Sequence, residues 1–404
     1  MRMQYKGIDY LRNKLRSKQA RVNLRYRYYD MKAIIPDMGI ATPPALRSWV
    51  YTLGWCAKAV DSLSDRLVFE EFANDNFGMN EVFQMNNPDI LANSAILSAL
   101  IGSCSFIYIY PDDDGYPKME SIDGANATGE IDPVTGLLTE GYAVLERDST
   151  GQPIMEAYFL PKETQYYQGK NVRVFRHNVE YPLLVPIIYR PDTARPFGHS
   201  RISRACISIM QSAARTMKRS EIAAEFFSFP QKYVVGLSED AEQLDKWQAT
   251  MSTLLRFDKD EDGDHPILGQ FQQQSMTPHN DQFRLFASAF AGETGLTLDD
   301  LGFPSDNPSS ADAIRSQHES LRLAARRAQR NFGTGLLNAG FLAVSLRDEW
   351  QYQRRQIYLT TPKWAPIFEP DASQLSGIGD AIIKIQQAFP DYFNEEKLKT
   401  LTGI

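Results

Sequence analysis

Residues 293–329, ETGLTLDDLGFPSDNPSSADAIRSQHESLRLAARRAQ, constrain the fold more than any other stretch. A loop rich in Gly, Pro and Asp runs directly into a long helical pattern. Ser309 stands at an N-cap position with Asp312 three residues on, a carboxylate form of the capping box. Beyond the cap, Ile314, Leu321, Ala325, Ala328 and Phe332 recur at three- and four-residue steps and mark a packed face. Arg315, Arg322, Arg326 and Arg330 follow the same period as a cationic stripe. A rigid rod behind a polar loop is a mechanical part, and nothing in it resembles a reaction centre.

With 404 residues the chain can bury more than one core, so two or three sub-domains are expected. Apolar and charged fractions of 43% and 23% are those of an ordinary soluble protein, and no apolar run reaches the roughly 18 residues a membrane span needs. The basic N-terminus has no signal-peptide apolar core. Cys56, Cys104 and Cys206 lack motif spacing and are expected to be reduced thiols. A net charge of −7 argues against tight non-specific nucleic-acid binding, because that affinity comes from neutralising phosphates. It leaves open a surface past which DNA slides.

Helical spacing predicts helices over residues 8–29, 45–67 and 89–101. The period then changes. FIYIY at 106–110 opens a region punctuated by PDDDGYP, DPVTG and RDSTGQP, with strand candidates at 142, 155, 172 and 185. Turn signals so closely spaced predict an antiparallel meander ending near Tyr189. The helical period returns after PFGHSRIS, over about 200–227. A compact insertion follows, with strands at QKYVVG and PILGQF and a helix around Trp247. Further helices are predicted over about 280–293, 379–388 and 395–401.

Chemical motifs are sparse. No GxxxxGK[ST] exists, so no phosphate-cradling loop is expected. The five histidines (His177, His199, His265, His279 and His318) are scattered without metal-ligand spacing. Asp258, Asp260, Asp262 and Gly263 match half a calcium loop, but Gly269 stands where the bidentate Glu is required. A solvated turn is the reading, with weak divalent binding as its alternative. No cofactor or metal is expected. The segment holding Arg12, Lys14, Arg16, Lys18, Arg21, Arg25 and Arg27 reads either as a nucleic-acid surface or as a helix docked on acidic neighbours in an assembly. For the later stripe, inter-subunit pairing is favoured over phosphate contact, because a planar guanidinium binds carboxylates bidentately.

In order along the chain stand YRYYD, the helix ending VDSLSDRL, NNPDILANSAILSALIGSCSFIYIY, PFGHSRIS, FPQKYVVG and TGLTLDDLGFPSDNPSSADAIRSQHESLRLAARRAQRNFG. This ordered set, from about Tyr26 to Leu401, resembles the portal proteins of tailed double-stranded DNA bacteriophages, in the branch carried by many phages of Gram-positive hosts. The resemblance implies an α+β portal fold assembled as a ring. Its parts would be a wing (1–199, with a return within 309–364), a first stem helix (200–227), a clip (228–278), a second stem helix (279–294), a tunnel loop (295–308), a long helix beginning at 309, and a short helical crown (365–404). Relatives usually continue past the position matching Ile404, so the crown is expected to be minimal or cut short.

The resemblance also implies roles. Thr297, Asp299, Asp300, Asp306 and Asn307 would form a flexible polar gasket facing DNA. Arg215, Lys218, Arg219, Gln282 and Arg284 would line the stem channel, and Lys232, Lys246, Trp247, Asp258 and Asp260 would dock partners at the clip. Arg315, Arg322, Arg326 and Arg330 would join subunits. The expected partners are about eleven further copies, double-stranded DNA, the terminase large subunit, a head-completion or adaptor protein, and the major capsid and scaffold proteins. The expected location is the portal vertex of the virion, reached from the host cytoplasm, with no membrane and no enzymatic activity. Two rivals come from other classes. One is a monomeric cytosolic α+β hydrolase or calcium-dependent enzyme using His199, Asp260 and Asp262; the other is a plain DNA-binding module.

Overall fold

The computed structural model describes residues 5–37, 46–228, 232–235, 267–270, 275–304, 316–357, 359–368, 372–390, 392 and 398. Helices and strands both contribute, in an α+β arrangement. Two compact units divide the chain: one of Met1–Ala33, Gly54–Ile207 and Gly292–Ile404, the other of Ile34–Leu53 and Ser208–Ala291.

The first unit begins with α1 (Ile8–Tyr29), which buries Leu11, Leu15 and Val22 at helical spacing along with Tyr28. Helix α2 (Trp55–Ser64) is shorter than its sequence pattern predicts. Gly54 precedes its first turn, and Trp49 is left 38% exposed outside it. Strand β1 (Phe69–Ala73) and helix α3 (Met79–Met85) come next. Pro88 then starts α4 (Pro88–Gly102), a position where the missing N–H costs no helical bond.

Two sheets follow instead of the single expected meander. In the first, β2 (Cys104–Pro111) lies between β3 (Pro117–Asp123) and β9 (Leu184–Ile188), antiparallel to both. The second runs in chain order through β4 (Ala127–Ile131), β5 (Leu138–Arg147), β6 (Pro153–Leu160), β7 (Glu163–Gln168) and β8 (Asn171–Arg176). Two-residue turns at Pro161-Lys162 and Gly169-Lys170 join its last three strands, with Gly169 at φ 59°.

Helix α5 (Arg204–Ser228) and helix α6 (Thr277–Thr294) flank a strand pair, β10 (Lys232–Val235) with β11 (Ile267–Gln270). The expected helix around Trp247 and the acidic turn lie outside the described residues. The long helix α7 (Glu319–Arg347) then crosses the first unit's core. Leu321, Ala325, Ala328 and Phe332 are all fully buried, and Leu336, Ala339 and Leu342 continue the face. Phe332 stacks on Tyr189 at 6.1 Å, and each such buried side chain contributes about 1.5–3 kcal/mol. Ser309, Asp312 and Ile314 lie outside the described residues. A short helix α8 (Arg354–Ile357) leads to β12 (Thr361–Trp364), which returns to pair with β1, and α9 (Ala372–Ala388) follows. Among the described residues no helix is long and apolar enough to cross a membrane.

Candidate functional site

The motif PFGHSRIS forms a joint. Gly198 sits at φ 72°, and a Cβ there would lie 2.1 Å from the Tyr189 carbonyl oxygen, so only glycine fits without displacing backbone. The His199 N–H donates to that same carbonyl at 2.9 Å. Arg201 donates from Nε to Ala59 O at 3.1 Å and from its other arm to Thr294 O, while its N–H reaches Leu100 O. Ser203 caps α5 by accepting the Cys206 N–H at 3.1 Å, and its hydroxyl donates to Glu293 at 2.9 Å. The first turn of α5 and the last turn of α6 are thereby tied to one point of the first unit.

The neighbouring polar groups of the motif also have partners. Ser200 donates its hydroxyl to Ile101 O at 2.6 Å, at the end of α4. The His199 imidazole lies between Asp192 (2.6 Å) and Arg195 (3.2 Å) in a surface loop. Its hydrogen bond, with the Arg195 N–H, holds the Asp192 carboxyl below the usual range. Asp260 and Asp262 lie outside the described residues. Among the described residues no group of His, Cys, Asp and Glu is arranged to hold a metal. Cys56, Cys104 and Cys206 are free and buried, and burial pushes the Cys104 thiol up to about 12.

Of the stem candidates, Lys218 is a correction. It is 8% exposed, with its ammonium 3.1 Å from Asp37 and 3.4 Å from Arg47 O, so its charge is neutralised inside the protomer. Arg215 donates to Ser212 Oγ at 3.0 Å and is half-buried, as is Arg219. Gln282 is exposed and accepts from Thr216 at 3.3 Å, linking α6 to α5, and Arg284 is exposed one residue before the 65% exposed Leu285. Lys232 lies in β10. Lys246, Trp247, Asp258 and Asp260 lie outside the described residues.

Within the segment after α6, residues 295–304 form an anchored turn. Thr297 and Asp300 cap each other: the Thr297 N–H and hydroxyl reach Asp300 Oδ2 at 2.9 and 3.0 Å, and the Asp300 N–H returns to Thr297 Oγ1 at 3.1 Å. Leu296 and Leu301 are buried beneath a short 3₁₀ turn (Asp299–Leu301), leaving Asp299 exposed. Asp306, Asn307 and Arg315 lie outside the described residues.

On α7, Arg322 grips its own helix, with both arms on Glu319 at 2.6 Å, so its fork is not open to a neighbouring subunit. Arg326 and Arg330 are exposed, and with them Arg327, which the four-residue period passes over. Part of the basic N-terminal helix is held by carboxylates of its own chain. Arg12 clamps Glu156 at 2.7 and 3.1 Å, and Lys14 and Lys6 meet Glu130 at 2.6 and 2.9 Å. Burial alone would raise both carboxyls, but hydrogen bonds from Arg12 and Tyr142 to Glu156, and from Lys14 and Lys6 to Glu130, hold them below the ordinary range. Arg25 is half-buried against Gly102 O, and desolvation lowers it to about 10. Arg16, Lys18, Arg21 and Arg27 remain exposed.

The described chemistry is that of joints and clamps, and sequence kinship agrees. No family model matches the chain. It is 26% identical over 396 residues to the portal protein of Mycobacterium phage D29, a match covering 90% of this chain and 80% of that protein. With the portal protein of Mycobacterium phage L5 it shares 26% identity over 331 residues, covering 76% and 67%. The chain is thus similar to two phage portal proteins along most of its length. Three solved chains come from gene transfer agent (GTA) particles. One is from the virion of the native particle, at 12% identity, TM-score 0.45 and coverage of 87% and 89%. The others are from the neck of the empty particle computed with C6 symmetry (12%, 0.48; 87% and 90%) and the neck of the native particle computed with C12 symmetry (14%, 0.46; 95% and 99%).

Proposed function

We propose that about twelve copies of this chain close into a ring at one capsid vertex and that double-stranded DNA passes through it during packaging, retention and ejection. The observation that carries this reading is kinship with portal proteins along 90% of the chain. Physical arithmetic supports it. Helices pack with axes about 8–10 Å apart, so twelve side by side make a circle roughly 31–38 Å across. Removing one helix diameter of about 10 Å leaves a bore of roughly 21–28 Å, enough for a duplex with little slack. Charge supports it too. With 43 basic against 50 acidic residues the chain has no net attraction for passing phosphates, and tight phosphate contacts would slow sliding.

In this reading the chain performs no catalysis. α5 and α6 form the stem, and the exposed Arg326, Arg327 and Arg330 on α7 meet a neighbouring subunit. The clip docks the terminase large subunit and later the head-completion protein, and the wing meets capsid and scaffold proteins. Light scattering on the purified full chain tests it. A particle of about twelve times the 45.8 kDa chain mass is expected. A monomer at every concentration, with no collar on capsids, would defeat the proposal.

A further inference from the structure

Sheet edges are the places where a folded chain invites a foreign strand, and natural proteins blunt them. Among the described residues of the first unit, five of six edge strands carry such a device. Asn80 occupies β1, accepting the Phe72 N–H at 2.7 Å and donating to Phe72 O at 2.9 Å. Asn86 does the same on β3, accepting from Met119 N–H at 2.8 Å and donating to Pro117 O at 2.9 Å. Lys14 covers Gly129 O of β4 at 2.7 Å. β9 and β12 carry Pro186 and Pro362.

The sixth edge, β8, is treated differently. Its sequence, NVRVFR, contains no proline, glycine or acidic residue, and its pairing with β7 runs without a bulge. Every residue of it except Phe175 is exposed, and Val172 and Val174 are 51% exposed on one face. His177 N–H donates inward to Lys162 O at 3.0 Å. By the alternation of an antiparallel ladder, Phe175, Arg173 and Asn171 therefore direct their backbone groups to β7. Arg176, Val174 and Val172 direct theirs outward, in a row.

We infer that β8 is a strand-addition site, and that it takes an extended, acidic, apolar-alternating segment from another protein of the particle. This rests on the portal-vertex reading. Main-chain bonds to the outward row give affinity, and alternate side chains give specificity. Lys170, Arg173 and Arg176 are all exposed along the edge and select carboxylates on the incoming strand. They also rule out the simplest self-pairing, because β8 against β8 of a second copy would set these cations against one another. The other described edges of the first unit in a second copy are each blunted by a proline or by a side chain on their backbone groups.

Amide hydrogen exchange on the full chain, as free subunit, as ring and in assembled particles, tests the inference. Amides of Val172, Val174 and Arg176 should exchange fast in subunit and ring and at least tenfold more slowly in particles. Slowing already on ring formation would make the occupant a second copy and overturn the inference, as would fast exchange in particles. Val174→Pro removes an outward N–H, which an edge strand tolerates, so Arg173 and Phe175 amides should stay protected while incorporation into particles falls about tenfold. Arg173→Glu with Arg176→Glu should do the same, and wild-type incorporation of Val174→Pro would overturn the inference. A wild-type chain missing from particles altogether would sink the portal-vertex reading and this occupant with it; a chain present with fast β8 amides would sink this inference alone.

Discussion

At Gly198 two demands meet: a left-handed backbone and a carbonyl oxygen 2.1 Å from where a Cβ would sit. Gly198→Ala is expected to cost at least about 2 kcal/mol, read as a fall in thermal midpoint, because strain and overlap fall on the same atom. A neutral result would mean that the joint relaxes freely. His177 is a different kind of residue. Burial lowers its imidazole to about 4, and neither ring nitrogen has a partner among the described residues. Its ordinary value is about 6.5, so between those two values the unfolded chain binds the extra proton and the folded chain does not. Stability should therefore fall as pH drops from about 6.5 to 4, by roughly 2 kcal/mol after allowing for the part of the ring in water. His177→Phe should flatten that leg of a denaturation series. The loss due to Glu130 and Glu156, whose folded values are depressed, belongs to a lower window. It begins below their unfolded value of about 4.3 and completes through their folded values, so the two effects separate.

α7 shows what a sequence can and cannot disclose about an element. Its buried side was legible, since Leu321, Ala325, Ala328 and Phe332 keep the helical period and all are buried. α1 was legible for the same reason. Strand β7, ETQYYQ, was not, because polar residues line both its faces and only its neighbours on each side make it a strand. Nor does periodicity reveal partners. Arg322 lies on the stripe but is taken by Glu319, and Lys218 is claimed by Asp37, far away in the chain. Three glycines in α7 were equally silent, and they let the helix approach its surroundings closely. A Cβ on Gly335 would sit 2.6 Å from Ile187 Cδ1 and 3.2 Å from Pro186 O, and one on Gly340 would sit 2.8 Å from Met79 Sδ. Alanine normally stabilises a helix by about 1 kcal/mol over glycine. At Gly335 the isoleucine tip can swing but the carbonyl cannot, so Gly335→Ala should be net destabilising by about 1–2 kcal/mol. Chemical denaturation measures it, and a gain in stability would show that α7 lifts off β9 cheaply.

For the whole molecule the question is what would hold like-charged copies together in the proposed ring. Each copy carries −7, so a ring would accumulate repulsion that local contacts must overcome. The exposed Arg326, Arg327 and Arg330 concentrate positive charge on one stretch of α7, next to the 53% exposed Leu323. A guanidinium cluster on an acidic protein fits a carboxylate-bearing face of the next copy better than it fits DNA, because a bore that gripped phosphates would stall translocation. Arg326→Glu with Arg330→Glu is therefore expected to leave the protomer folded, with an unchanged circular dichroism spectrum and thermal midpoint. In light scattering the same variant should shift the population from rings toward the 45.8 kDa chain. Salt screens these pairs and the net repulsion alike, over about 10 Å at 0.1 M ionic strength, so the charge reversal is the deciding test. Rings that survive it, together with altered DNA retention in particles carrying the variant, would move these arginines from the subunit boundary to the channel wall.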